Sequence, residues 1–139
     1  MRGLLLLACL LLGACAQQPL QHDGLYRQLG GEPGITRIVE GMLLRIAEDP
    51  RIVEHFQSVD IQRVRDKLIE KFCAEAAGPC TYTGDSMEES HKGLGLTPSD
   101  FSALVENLQA AMTAEAVPIP TQNRLLARLA PMRGQIIDK

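Results

Sequence analysis

The stretch Tyr82-Thr-Gly-Asp-Ser-Met-Glu-Glu-Ser-His-Lys-Gly-Leu-Gly-Leu96 decides how the rest of the chain is read. Asp85 can cap a helix whose third residue is Glu88, and Met87, His91 and Leu94 then fall at i, i+4 and i+7 on one face. An imidazole is thereby set among apolar side chains. Gly93 and Gly95 offer stopping points just beyond, so the helix is short and the histidine lies near its C-terminus. A neutral imidazole in that position can bind a metal through one nitrogen and donate a hydrogen bond from the other. The same pattern also fits a partly buried histidine satisfied by a backbone carbonyl.

Outward from that stretch the pattern is helical. Leu25 to Leu29 make a turn or two, stopped by Gly30-Gly31. Pro33 suits the first turn of the next helix, where Ile35, Ile38, Val39, Met42, Leu43 and Ile46 recur at helical spacing until Asp49-Pro50 ends it. A further helix starts near Asp60 with Ile61, Val64, Leu68 and Phe72 on one face and Arg63, Asp66, Lys67, Glu70 and Lys71 on the other. Thr97-Pro98-Ser99-Asp100 combines a cap, a proline at the first helical position and an acid at the third; Phe101, Leu104, Val105, Leu108, Ala111 and Met112 follow. Val117-Pro118-Ile119-Pro120 interrupts, residues 121–129 form a last helix, and residues 134–139 read as a frayed tail. No sustained alternation, repeat or low-complexity run occurs, so the fold class is all-α.

Residues 1–14 comprise a basic head, the apolar run 4–12 and small residues, which reads as a secretory signal too short to span a bilayer. Leu12-Gly13-Ala14-Cys15 resembles the lipobox of bacterial lipoproteins, which implies lipidation of Cys15, a tether over residues 15–24, and a place in the cell envelope. Ala16 lacks the aspartate that resembles an inner-membrane retention signal, so the outer membrane facing the periplasm is expected. A plain secreted form is the alternative. Processing before Cys15 leaves 125 residues with a net charge of −4, enough for one domain and without the basic surface of a nucleic-acid binder. Of the remaining cysteines, Cys73 and Cys80 can pair if their α-carbons lie close enough, which the sequence does not fix.

Phe, Tyr and Trp together number five, sparse for this length. Such a core is either aliphatic throughout or completed by a large planar ligand. The Leu25-Tyr26-Leu29-Gly30-Gly31 opening, Asp49-Pro50 with Phe56, Gly78-Pro79 with Tyr82-Thr83-Gly84, Met87 and His91 with Gly95, and Val117-Pro118 stand in the order seen in truncated globins. From Leu25 to about Pro118 the chain resembles the first group of that family. The resemblance implies a truncated globin fold over residues 25–133, a 2-on-2 helical sandwich around haem b. It makes His91 the proximal ligand of the iron and Phe56 the residue packed on the haem plane. Phe72, Met87, Leu96, Phe101 and Val105 become lining residues, and Lys67 and Tyr82 fall near the propionate edge.

The chain departs from the family on the distal side. Leu43 stands where a tyrosine is common, and Val64 and Leu68 occupy the facing positions, so no hydrogen-bond donor is supplied. Loss of that donor costs bound oxygen on the order of 1 to 2 kcal/mol and carbon monoxide less. Lys67 is the nearest internal candidate for the sixth iron position and His55 a more distant one; an open site is the default. The function expected is reversible binding of diatomic gases (oxygen, carbon monoxide, nitric oxide), with an electron donor the sequence does not name. Two alternatives stand beside it: a haem enzyme or electron-transfer protein consuming nitric oxide or peroxide, and a haem-free helical lipoprotein acting as an adaptor.

Overall fold

The computed structural model describes residues 24–139; the signal-peptide and lipidation expectations fall on residues outside these. Every regular element among the described residues is helical. They are α1 (Leu25–Gln28), α2 (Gly31–Ala47), α3 (Ile61–Glu75), α4 (Met87–His91), α5 (Pro98–Ala114), α6 (Ile119–Leu129) and α7 (Arg133–Ile136), with 3-10 turns at Val53–Phe56 and Ala130–Met132. None of these helices is long and apolar enough to cross a membrane.

Local chemistry starts and stops the long helices. The Asp60 carboxylate accepts from the Arg63 amide at 3.0 Å and caps α3. Thr97 and Asp100 form a reciprocal capping box ahead of Pro98, satisfying two amides that the helix itself leaves unpaired. At the other end of α3 the Gly78 amide reaches the Cys73 carbonyl at 2.8 Å and the Ala77 amide reaches Ala74 at 3.0 Å. That is a Schellman ending with alanine, at φ 56, in the left-handed position usually given to glycine. Helix α5 ends the same way, with Ala116 at φ 56 and the Val117 amide on Met112 at 3.0 Å.

The layers follow from the apolar stripes. Ile35, Ile38, Val39, Met42 and Ile46 are buried along α2, which packs against both α3 and α5, while α6 packs across α3 and α5. The pair α2 and α3 therefore faces the pair α5 and α6, the 2-on-2 sandwich expected. The core is aliphatic, with Leu25, Ile35, Met42, Ile52, Met112 and Leu125 among its fully buried side chains. One polar strut crosses it at the end of α2: the Asn107 amide on α5 donates to Asp49 at 2.7 Å, and Arg51 joins Asp49 to Glu106. The Arg51 guanidinium, followed by the Asn107 amide, holds the Asp49 carboxyl well below the usual carboxylate range.

Two expectations change. The cap of α4 is Ser86, whose hydroxyl accepts from the Glu89 amide at 3.1 Å; Asp85, one residue earlier, instead has its carbonyl held by the Tyr82 hydroxyl at 2.7 Å. Residues 134–139, read as a frayed tail, continue α7 (Arg133–Ile136) and a following segment in which Ile137 is only 8% exposed. Ile136 and Ile137 are too short an apolar run to register as a helix face, yet Ile137 is buried and Ile136 partly so.

Candidate functional site

A cavity of about 480 Å³ opens between α3, α4 and α5, within the size range of cofactor sites. Its walls bring together eleven of the twelve residues expected there. Phe56, Val64, Leu68 and Phe72 come from the 3-10 turn and α3; Tyr82, Met87, His91 and Leu96 from the proximal stretch; Phe101 and Val105 from α5; and Lys67 from the charged edge of α3. Leu43 is the exception. It is half-buried against the core, and Met42, fully buried one residue earlier, reaches the cavity wall in its place. Both lie in one apolar stripe, so the turn of α2 against its neighbours, rather than the pattern, selects which of them faces inward.

His91 is prepared for one kind of bond. Its Nδ1 lies 2.7 Å from the Met87 carbonyl oxygen. A carbonyl only accepts, so Nδ1 carries the proton and Nε2 keeps its lone pair for a metal. The Ser90 hydroxyl donates to the Ser86 carbonyl at 2.8 Å, with His91 Nδ1 3.1 Å away. A backbone carbonyl thus satisfies one nitrogen and leaves the other able to bind. A neutral carbonyl, rather than a carboxylate, also keeps the ring an imidazole without imidazolate character.

The polar side chains on the wall other than His91 have protein partners of their own. Lys67 Nζ lies 2.9 Å from Glu70 and 2.6 Å from the Thr83 hydroxyl. The Thr83 amide and hydroxyl both donate to Glu70, each at 2.9 Å. Lys67, followed by the Thr83 backbone, lowers the Glu70 carboxyl to about 2 from an ordinary 4.5. Lys71 pairs with Glu75 at 3.0 Å and stands 4.9 Å from the centre of the Tyr82 ring. Burial, followed by the nearby Asp85 charge, pushes the Tyr82 phenol up. That ring lies against Gly84, where a β-carbon would collide with it, so the tight turn into α4 requires glycine at this position. His55 Nε2 sits 3.6 Å from Asp100, whose carboxyl the Thr97 backbone and hydroxyl hold low. The pairing of His55 with Asp100 joins residues 45 positions apart, and no local pattern announces it. With these groups committed, the rest of the wall apart from His91 is aliphatic and aromatic.

Cys73 and Cys80 are joined by a disulfide, with α-carbons 6.0 Å apart. It fastens the end of α3 to the segment carrying Tyr82 and Thr83. Among the described residues no cluster of histidine, cysteine and carboxylate side chains could hold a metal ion by itself. A histidine with one ring nitrogen available in a largely apolar cavity suits an iron already held in a macrocycle.

The fold and this cavity define a globin. The bacterial-like globin family model matches residues 24–138. The chain is 31% identical over 112 residues to a group 1 truncated hemoglobin GlbN of Mycolicibacterium paratuberculosis, covering 81% of this chain and 82% of the relative. It is 31% identical over 115 residues to the group 1 truncated hemoglobin GlbN of a Nostoc species, covering 83% and 98%. The crystal structure of truncated hemoglobin from Tetrahymena pyriformis in the Fe(III) form superposes with a TM-score of 0.80 at 26% identity, covering 83% of this chain and 98% of that one. The chain belongs to the group 1 truncated haemoglobin family.

These findings correct the expectation of a lipid-anchored envelope protein. The family match begins at residue 24, the relatives are truncated haemoglobins, and no described helix is long and apolar enough to cross a membrane. The signal peptide, the lipidated Cys15, the membrane attachment and the outer-membrane location are withdrawn. A leucine run ending in small residues and a cysteine is a short pattern of low information, and hydropathy alone does not make it an anchor.

Proposed function

We propose that this chain is a haem b globin that reversibly binds diatomic gases at an iron held by His91. The observation carrying this is the His91 hydrogen bond to the Met87 carbonyl, which leaves Nε2 available on the wall of an apolar cavity. Phe56, Phe72 and Phe101 would supply flat apolar contact to the macrocycle, and Lys67 and Lys71 on the rim would supply positive charge to its carboxylates. Haem supplies the iron that takes the gas. The residues of the chain exclude water, hold the imidazole in one tautomer and present an aliphatic distal wall of Met42, Val64 and Leu68.

That wall offers no hydrogen-bond donor, so a polar ligand such as oxygen leaves quickly and carbon monoxide is affected less. Lys67 stays at the rim, because its ammonium would have to give up Glu70 and Thr83 and lose a proton before reaching iron. His55 is likewise beside Asp100, so neither side chain would serve readily as a second ligand to the iron. The test is reconstitution of purified protein with haem b: a Soret band with one iron per chain is expected, and His91→Ala should lose haem or hold it loosely until imidazole is added. Unchanged haem content and iron-ligand spectrum in that variant would overturn the assignment.

A further inference from the structure

Helix α4 carries His91 on five residues, and a helix so short has little stability of its own. Glu88, Glu89 and Ser90 are exposed, and the chain leaves the helix at Lys92 through Gly93 and Gly95. Gly95 has φ 59 and open space where a β-carbon would stand. What supports α4 comes from the far end of the described chain. The 3-10 turn Ala130–Met132 redirects the backbone after α6, and the element that packs most closely on α4 is α7. Beyond α7, Ile137 is buried, the Asp138 amide donates to the Leu96 carbonyl at 2.9 Å, and the Gly95 amide donates to the Lys139 main-chain oxygen at 3.3 Å. Met132 and Ile136 share the cavity wall with His91, and the Arg133 guanidinium stands 5.9 Å from the centre of the Phe101 ring.

We propose that residues 132–139 are a strap that positions His91, fixing how far the imidazole stands into the cavity and so how firmly it holds iron. This rests on His91 being the iron ligand. Side-chain burial at Ile137 and two main-chain hydrogen bonds to residues 95 and 96 hold the chain just beyond α4. Without them α4 keeps its Ser86 cap and its packing on α7 but loses the anchor on its C-terminal side, which lets the imidazole withdraw. Ile137 and Asp138 are positioning residues, since neither reaches the cavity.

The test uses the full haem-loaded chain, a form lacking residues 137–139, and Ile137→Ala, which removes the buried side chain and keeps both main-chain hydrogen bonds. The readouts are the iron–histidine stretching frequency of the ferrous protein and the rate of haem transfer to excess apomyoglobin, with circular dichroism to confirm helix content. Both variants should keep their helices, shift the stretch to lower frequency and lose haem about tenfold faster, a change of ~1.4 kcal/mol. The shifted stretch is a readout that a general loss of stability would not produce. If the shortened form fails to fold, Ile137→Ala decides alone. Folded variants with the parent's stretching frequency and transfer rate overturn the strap and leave the globin assignment standing. A parent protein that takes up no haem overturns both.

Discussion

Reducing the Cys73–Cys80 disulfide should lower the melting temperature of the haem-free protein by about 10 °C. The bond closes a loop of sequence separation 7, and the chain-entropy relation assigns such a loop about 2.4 kcal/mol. Residues 24–139 unfold with roughly 2.1 cal/mol/K per residue, about 0.24 kcal/mol/K in all, which converts that free energy into the stated shift. The fold itself should persist, because the Gly78 amide still reaches the Cys73 carbonyl and Thr83 still donates to Glu70. Using one protein with and without a phosphine reductant avoids cutting a cavity at Cys73, which is 2% exposed. Scanning calorimetry gives the shift and thiol titration confirms the redox state. Two free thiols before reduction, or a shift below about 2 °C, would refute the account of this cross-link.

Leu68→Gln places an amide donor on the distal wall; oxygen release should slow about tenfold, from ~1.4 kcal/mol of added hydrogen bonding, with carbon monoxide release changed far less, as flash photolysis would record. Glu70, lowered from 4.5 to about 2, contributes stability that is fully present above pH 4.5 and is lost as pH falls toward 2. Melting temperatures across that interval should therefore decline less steeply in Glu70→Gln, and identical slopes would count against the Lys67–Glu70–Thr83 network. Ala116→Gly relieves a left-handed alanine at φ 56 and should stabilise the protein by about 0.5 to 1 kcal/mol after the added unfolded-state entropy is subtracted. Denaturant titration reads this directly, and a lower midpoint would show that the Schellman turn tolerates alanine without strain.

The elements whose boundaries were legible in the sequence are those set by contacts within a turn or two. Asp60 capping Arg63 and the Thr97–Asp100 box are decided by side chains three residues apart, and the helices follow where they were expected. The composition of the cavity was legible too, because helical spacing puts Val64, Leu68 and Phe72 on one face whatever they pack against. His91 on an apolar face was equally plain. Its protonation was not, since the tautomer depends on where the Met87 carbonyl lies.

The tertiary structure decided what two segments distant in sequence do to each other. Asp85 and Ser86 are both good capping residues, and the Tyr82 hydroxyl on the Asp85 carbonyl accompanies the choice of Ser86. Met42 and Leu43 are both apolar, and only the packing of α2 on α3 and α5 selects the one that faces the cavity. His55 meets Asp100, and the segment around the buried Ile137 meets residues 95 and 96, across separations of some forty residues that no periodicity encodes. A helix period fixes which side chains share a face. Which face meets which neighbour depends on burying the most apolar surface at once, and that is a property of the assembled chain.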